Sequence, residues 1–266
     1  MTGVREVIVV GVLIAALSGC AIEGGERMTG TVDAGRETTA ERQAGAGQLE
    51  AGVLKGRVVD AAGRPVAGAE IVADNQLLYN SNLVVATDKD GRYRVSTDVA
   101  AATFRVTGTV TRRFEDRAYT MELTPHDDAP FAGSDGAIRD FTWRLTGERS
   151  DGLGFYGSMV LFHLESYDPQ RPEAFLQDED VTLTLTPQGP LIDGSAGEVI
   201  TRRAERGGDG PGVLDVPIGR YRITAEHLGR PLKIRIRDTG EYGEAVVTGF
   251  ERFLNTVHRI QLDLKP

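Results

Sequence analysis

The chain has 266 residues, 40% hydrophobic and 26% charged, with a formal net charge of -9 and a pI near 5.1. That balance excludes a general affinity for nucleic acid or for anionic lipid surfaces, both of which need a basic patch. A single cysteine, Cys20, excludes an intramolecular disulfide and any cysteine-rich zinc or iron-sulfur site, so the folded part is held by packing alone.

The first element is an apolar run from Val7 to Leu17 behind Arg5, too short to cross about 30 Å of hydrocarbon. Small residues follow it directly, as in an export signal. Leu17-Ser18-Gly19-Cys20 resembles the lipobox of bacterial lipoproteins. The resemblance implies removal of residues 1–19, a diacylglycerol thioether on Cys20, and membrane attachment through that lipid. It also implies the cell envelope, with the outer membrane as the address in a diderm bacterium because Ala21, not Asp, follows the cysteine. The alternative for Cys20, a small buried hydrophobe, requires a core made from residues 7–20, and nothing up to residue 50 offers one a partner.

Residues 20–50 are rich in Gly, Thr, Ala and Glu and keep no apolar period, so they cannot offset the entropy of ordering. They read as a flexible tether, roughly 30 Å long on average at 5–6 Å × √n for a Gly-rich coil. Met28-Thr29-Gly30-Thr31-Val32 is open to a second reading as an early strand.

Two half-buried strands are predicted on either side of Ala62-Gly63-Arg64-Pro65, within residues 52–60 and 66–73. Val84 to Val95 reads as a hairpin turning at Asp90-Gly91, where Gly takes φ > 0 without steric cost. Further strands are expected at Thr103–Thr111, Ala118–Leu123 and Phe141–Leu145. Gly147 to Gly152 is polar and flexible and sets a boundary, giving one domain over 51–150 and a second over 151–266. In the second, strands are expected at Gly157–Leu164, Asp180–Leu185, Leu232–Ile236, Ala245–Thr248 and Val257–Leu264. Val181, Leu183 and Leu185 alternate there with Thr182, Thr184 and Thr186. Gly91-Arg92-Tyr93-Arg94-Val95 recurs as Gly219-Arg220-Tyr221-Arg222-Ile223, an internal echo consistent with a diverged duplicate. The fold class is therefore all-β, two transthyretin-like or immunoglobulin-like β-sandwich domains in tandem.

Gly56-Arg57-Val58-Val59-Asp60, Gly63 to Ile71 with Pro65, Gly68 and Ala69, and Thr87-Asp88-Lys89-Asp90-Gly91-Arg92-Tyr93 together resemble the carboxypeptidase regulatory-like domain over residues 52–146. The resemblance implies a seven-strand sandwich with no catalytic residues of its own, of a kind appended to secreted peptidases, adhesins and outer-membrane transporters.

Residues for chemistry are sparse. His126, His163, His227 and His258 lack the i, i+4 spacing of H-E-x-x-H metallopeptidases. His163 and Glu165 share one strand face, although the pattern of Gly157–Glu165 favours a partly buried histidine over a ligand. Asp88-x-Asp90-Gly91 resembles the start of a calcium loop but lacks its closing Glu. His126, Asp127, Asp128 and Asp135 are the densest possible ligand group, and a solvated loop accounts for them as well. No serine has the G-x-S-x-G setting, and no phosphate-binding glycine loop is present. The chain thus reads as a non-catalytic, lipid-anchored binding or scaffolding module without a cofactor, serving an envelope protein or glycan partner. The alternative, a metal-dependent hydrolase acting on an envelope substrate, needs His126, Asp127, Asp128 and Asp135 to meet. The binding residues are placed in Leu77 to Leu83, where Tyr79 offers a flat face and Asn80 and Asn82 donate and accept. The opposing reading has Leu77, Leu78 and Leu83 tucked beneath the sandwich.

Overall fold

Residues 47–266 other than 100, 151, 153 and 174 are described by the computed structural model. The signal segment, Cys20 and the tether up to residue 46 lie outside them. The described part is all-β apart from one 3-10 turn, η1 (Asp178–Asp180), and forms two sandwiches in tandem. Among the described residues no helix is long and apolar enough to cross a membrane.

The first sandwich contains β1 (Val53–Asp60), β2 (Glu70–Asn75), β3 (Leu83–Ala86), β4 (Arg92–Ser96), β5 (Thr103–Phe114), β6 (Arg117–Glu122), β7 (Thr124–Pro125), β8 (Phe131–Ala132), β9 (Ala137–Ile138) and β10 (Phe141–Trp143). One layer is ordered β4-β1-β10-β7 and the other β3-β2-β5-β6. Leu54, Val58, Ile71, Phe104, Val110 and Phe141 meet between them, all fully buried. Each such side chain contributes about 1.5–3 kcal/mol of transfer free energy.

The second sandwich contains β11 (Ser158–Leu164), β12 (Val181–Pro187), β13 (Ile200–Arg203), β14 (Glu205–Gly207), β15 (Gly210–Val216), β16 (Tyr221–His227), β17 (Arg230–Ile236), β18 (Val246–Thr248), β19 (Glu251–Arg252) and β20 (His258–Lys265). Its strands run β13-β12-β16-β17-β20-β11-β15-β14. β17 pairs first with β16 and then, through Lys233 to Ile236, with β20, so one strand carries the sheet from layer to layer. The threonine alternation of β12 holds as expected: Val181, Leu183 and Leu185 are fully buried.

The two sandwiches repeat one topology. β3-β2-β5-β6 corresponds to β13-β12-β16-β17, and β4-β1-β10 to β15-β11-β20. In each, the first and last strands pair in parallel, Val58 with Phe141 and Val160 with Ile260. In the first sandwich β6 breaks at Leu123 and the short β7 pairs with β10, the step β17 makes without a break. The sequence echo does not mark this correspondence. Tyr93 lies on β4 and Tyr221 on β16, whose counterpart is β5.

One local expectation is corrected. β3 and β4 form no hairpin, because β3 pairs with β2 and β4 with β1; the Asp88–Gly91 turn carries the chain between layers. The Asp88 carboxylate accepts the N–H groups of Asp90 and Arg92, both at 2.9 Å, so it closes a turn instead of opening a calcium loop. Gly91 has φ +72° as expected, but Gly219 is not among the residues of positive φ.

The two glycines are therefore constrained differently. A Cβ on Gly91 would lie 2.4 Å from the Val58 carbonyl oxygen, whereas on Gly219 it would meet the end of the Leu191 side chain at 2.8 Å. Gly91→Ala should cost about 2–4 kcal/mol, combining left-handed strain with a backbone clash. Gly219→Ala should cost about 1 kcal/mol, since a flexible side chain can yield. Urea midpoints of residues 21–266 measure both, and equal losses would contradict this account.

Candidate functional site

The loop between β2 and β3 is organised by a residue the sequence reading passed over, Asn75. Its side-chain oxygen accepts the N–H groups of Leu77 at 3.0 Å and Leu78 at 3.2 Å, and its own N–H donates to Asn82 Oδ1 at 3.2 Å. An Asx residue followed by a loop is the signal that could have revealed it. Asn80 takes the left-handed conformation, φ 55°. This frame leaves Leu77 63%, Leu78 54% and Tyr79 102% exposed. The tucked reading therefore fails for Leu77 and Leu78, while Leu83 does pack against the core. All three named binding residues, Tyr79, Asn80 and Asn82, are exposed, and Asn82 also gives its oxygen to the loop itself.

The tip shares one end of the first sandwich with the start of β1. Gln76 N–H donates to Thr103 O, Gly133 N–H to Ala102 O and Gly52 N–H to Ser134 O.

The possible metal ligands stay apart. His126 Nε2 is 2.8 Å from Thr142 Oγ1, Asp127 pairs with Arg139 at 2.9 Å, Asp128 with Arg105 at 3.2 Å, and Asp135 accepts from Ser134 Oγ. Among the described residues no three His, Cys, Asp or Glu are placed to hold a metal ion. His163 is exposed, not partly buried, and His227 Nε2 accepts the Gln177 N–H at 3.2 Å.

A second site, absent from the sequence reading, lies at the seam between the sandwiches. Tyr119 Oη on β6 and the Arg117 guanidinium both donate to the Phe250 carbonyl at 2.9 Å. Glu122 on β6 pairs with Arg149 and accepts from Thr256 Oγ1 at 2.8 Å. Beside these contacts is a cavity of about 360 Å³ whose lining includes Phe155, Leu161, Leu214, Phe253, Leu254 and His258. Asp215, φ 55°, shapes one wall at the register shift between β11 and β15. Its carboxylate accepts the N–H groups of Gly147 at 2.9 Å and Gly157 at 3.1 Å, fixing both ends of the connecting segment. His258 is only 2% exposed, and its ring centroid is 5.1 Å from that of Tyr119. Its Nε2 is buried without a hydrogen-bond partner.

Residues 53–129 match the carboxypeptidase regulatory-like domain, the segment from β1 into the loop after β7. No curated protein matches the chain. Among solved structures the chain is similar to the Bacillus anthracis TIE protein, with 12% identity over 81% of this chain and 34% of that one, TM-score 0.33. It is similar to the Streptococcal ancillary pilin at 12% identity over 79% and 61%, TM-score 0.25. A B repeat unit of the collagen-binding surface protein of Staphylococcus aureus gives 11% over 82% and 100%, TM-score 0.21. The chain thus spans less than two thirds of the first two, and likenesses this weak carry no residue-level correspondence.

Burial, reinforced by the Arg252 charge, pushes the His258 imidazole down from 6.5 to about 4. Between those values the unfolded chain binds the proton and the folded one does not, so stability present above pH 6.5 is lost as the pH falls towards 4. The loss from this group should be on the order of 2–3 kcal/mol. Urea midpoints at pH 7 and pH 4.5 should differ less in His258→Gln than in the native chain; an unchanged difference would show that this histidine does not titrate as described.

Proposed function

We propose that the chain is an exported module of the bacterial envelope, anchored by a lipid on Cys20, that holds a partner protein through the tip of its first sandwich and performs no catalysis. The observation that carries the reading is the exposed Leu77-Leu78-Tyr79 triplet on a loop whose backbone Asn75 and Asn82 have fixed. Large apolar side chains on a pre-set frame lose little further entropy on binding, the condition under which a few residues supply most of an affinity. Two leucines beside the tyrosine favour an apolar protein surface over a sugar, and the prior use of Asn82 Oδ1 removes one of the polar groups a glycan would need.

The non-catalytic part of the reading is supported by the scattering of His126, Asp127, Asp128 and Asp135 among separate partners. The anchor is supported by Leu17-Ser18-Gly19-Cys20, and a tether of roughly 30 Å would leave the tip free to reach a neighbour at the same membrane.

Two measurements test this. The mature chain extracted in detergent should carry a diacylglycerol mass on Cys20, and Cys20→Ser should leave the signal uncleaved or the protein unattached. A photo-crosslinking residue in place of Tyr79 should give a discrete adduct in cells, lost on adding Leu77→Asp and Leu78→Asp, with stability changed by only about 0.5 kcal/mol because both sites are exposed. An equal adduct yield from a crosslinker at exposed Glu205 would remove the tip from the account.

A further inference from the structure

The two sandwiches repeat one strand order but treat their equivalent edges differently. β13, a free edge of the second, carries exposed Arg202 and Arg203, and the Arg202 guanidinium crosses to the Leu214 carbonyl on β15 at 2.9 Å. The first residues of β15 are in turn covered by β14. Charged side chains and covering strands of this kind keep a sheet edge from pairing with another chain. In the first sandwich β4 has exposed Arg92 and Arg94 on its edge. Its other free edge, β3, is the counterpart of β13 and reads Leu83-Val84-Val85-Ala86, without a charge, a proline or a covering strand. Val84 is 59% exposed. An open gap of about 440 Å³, lined by Val85 and Ala86 of β3 and by Tyr93 and Arg94 of β4 among others, lies beside it.

The pairing pattern fixes which backbone groups of β3 are free. Along an antiparallel strand, residues whose N–H and C=O groups bond a given neighbour alternate with residues whose groups point away from it. Gln76 N–H donates to Thr103 O, so Val72 and Glu70, at the same parity in the β2–β5 register, turn their backbone groups to β5. That leaves Ile71 and Ala73 to bond β3, where they face Val85 and Leu83. The bond from Thr87 N–H to Ala69 O keeps the same step. The N–H and C=O groups of Val84 and Ala86 are therefore aimed off the open edge. Side chains follow the alternation too: Leu83 and Val85 pack against the core, while Val84 and Ala86 lie on the outer face beside Val72 and Glu70. Glu70 is exposed and belongs to no ion pair among the described residues. Across the small Ala86 it stands two strand spacings, about 10 Å, from any strand added at this edge, within the combined reach of its own side chain and a lysine or arginine.

We propose that β3 takes up an extended segment of the partner protein as an added strand, bonded to the backbone of Val84 and Ala86, with an apolar residue against Val84 and, two positions away, a basic residue that meets Glu70 across Ala86. Backbone bonds supply the attachment and the alternate side chains the selectivity, as in other strand additions. The proposal deepens the reading of the tip and rests on it for the partner, since the loop with Leu77, Leu78 and Tyr79 runs directly into β3. A basic segment is favoured over a second copy of this chain by the net charge of -9, because like-charged copies repel, and by β3 itself, which has no cation to offer Glu70.

The test uses residues 21–266, which contain the whole compact unit Ala44–Pro266, and two capped peptides of one composition. Thr-Thr-Lys-Thr-Val-Thr-Thr puts lysine and valine on one face of a strand, and Thr-Thr-Lys-Val-Thr-Thr-Thr puts them on opposite faces. The first should bind about fivefold more tightly, the worth of one or two cross-strand pairs. Followed by NMR, it should slow hydrogen exchange at the amides of Val84 and Ala86 and leave that of Val85, already bonded to β2, as it was. Val84→Pro removes an outward donor and no bond to β2, so it should weaken binding about tenfold at an unchanged urea midpoint. Ala86→Lys gives Glu70 a cation directly opposite and should lower the first peptide to the affinity of the second. Equal affinity of the two peptides, no binding of either at millimolar concentration, or binding indifferent to Val84→Pro and Ala86→Lys would overturn the added strand. Slowed exchange at Val84 and Ala86 on raising the protein concentration alone would put a second copy at the edge instead. The tip fails separately: peptide binding with no discrete adduct at Tyr79 in cells would leave the edge standing without the tip, whereas an adduct that survives Val84→Pro would leave the tip and remove the strand.

Discussion

One carbonyl group joins the two halves of this molecule. The Phe250 oxygen receives Tyr119 Oη and Arg117, while its fully buried ring packs edge-on against Tyr221, 6.2 Å between centroids. A single residue therefore places its side chain in the core of the second sandwich and its backbone against β6 of the first. Burial raises the Tyr119 hydroxyl's pKa above the usual tyrosine range, so it remains a donor throughout the physiological range. Arg117 also pairs with Glu251 at 3.6 Å, and Glu115 with Arg220 at 3.3 Å. These exposed pairs add little energy individually. They orient the seam, and burial at Tyr119, Phe250 and His258 holds it.

That joint explains why a chain that divides into two sandwiches is continuous in its core. Residues of both belong to one connected set of buried apolar side chains. The two elements were legible in the sequence because several strands of each carry their own period of two, clearest in Val181, Leu183 and Leu185. Their contact was not legible. The residues that make it, Tyr119, Glu122, Phe250 and Thr256, come from places 131 or more positions apart across each hydrogen bond, and no local period registers such a pairing. Pairing errors have the same origin. Val84–Val95 has the residues of a hairpin, yet β1 and β2 each claim one of its arms, since closing two layers buries more apolar area than a free-standing ribbon.

The repeated topology shows how far a sequence signal can mislead even where two sandwiches share one strand order. Gly91 to Val95 and Gly219 to Ile223 look like equivalent strands, and the sandwiches are equivalent, but these segments are not. Tyr93 donates to Arg139 O at 2.5 Å on β4, whereas Tyr221 donates to Pro217 O at 2.9 Å on β16. In both places a buried tyrosine follows a glycine because the strand starts beside a tight turn and its hydroxyl needs a backbone acceptor. Local demands of that kind recur wherever a sandwich strand begins, with or without common descent.

The tip and the seam differ in legibility for the same physical reason. The tip is contiguous, so Tyr79 could be singled out from seven neighbouring residues, whereas the bond that Asn82 Oδ1 accepts from the Asn75 N–H is visible only once the loop closes. The seam cavity is assembled from β6, the connection before β11, the β14–β15 turn and the β19–β20 loop, and none of these reads as a site alone. β5 separates the two. It begins at Thr103 beside the tip and ends at Phe114 beside the seam, twelve residues that span about 40 Å at 3.4 Å each. Over that distance direct side-chain coupling vanishes. The tip and the seam are thus two separate features of one compact unit, and the Phe250 clasp joins the two sandwiches beside the second.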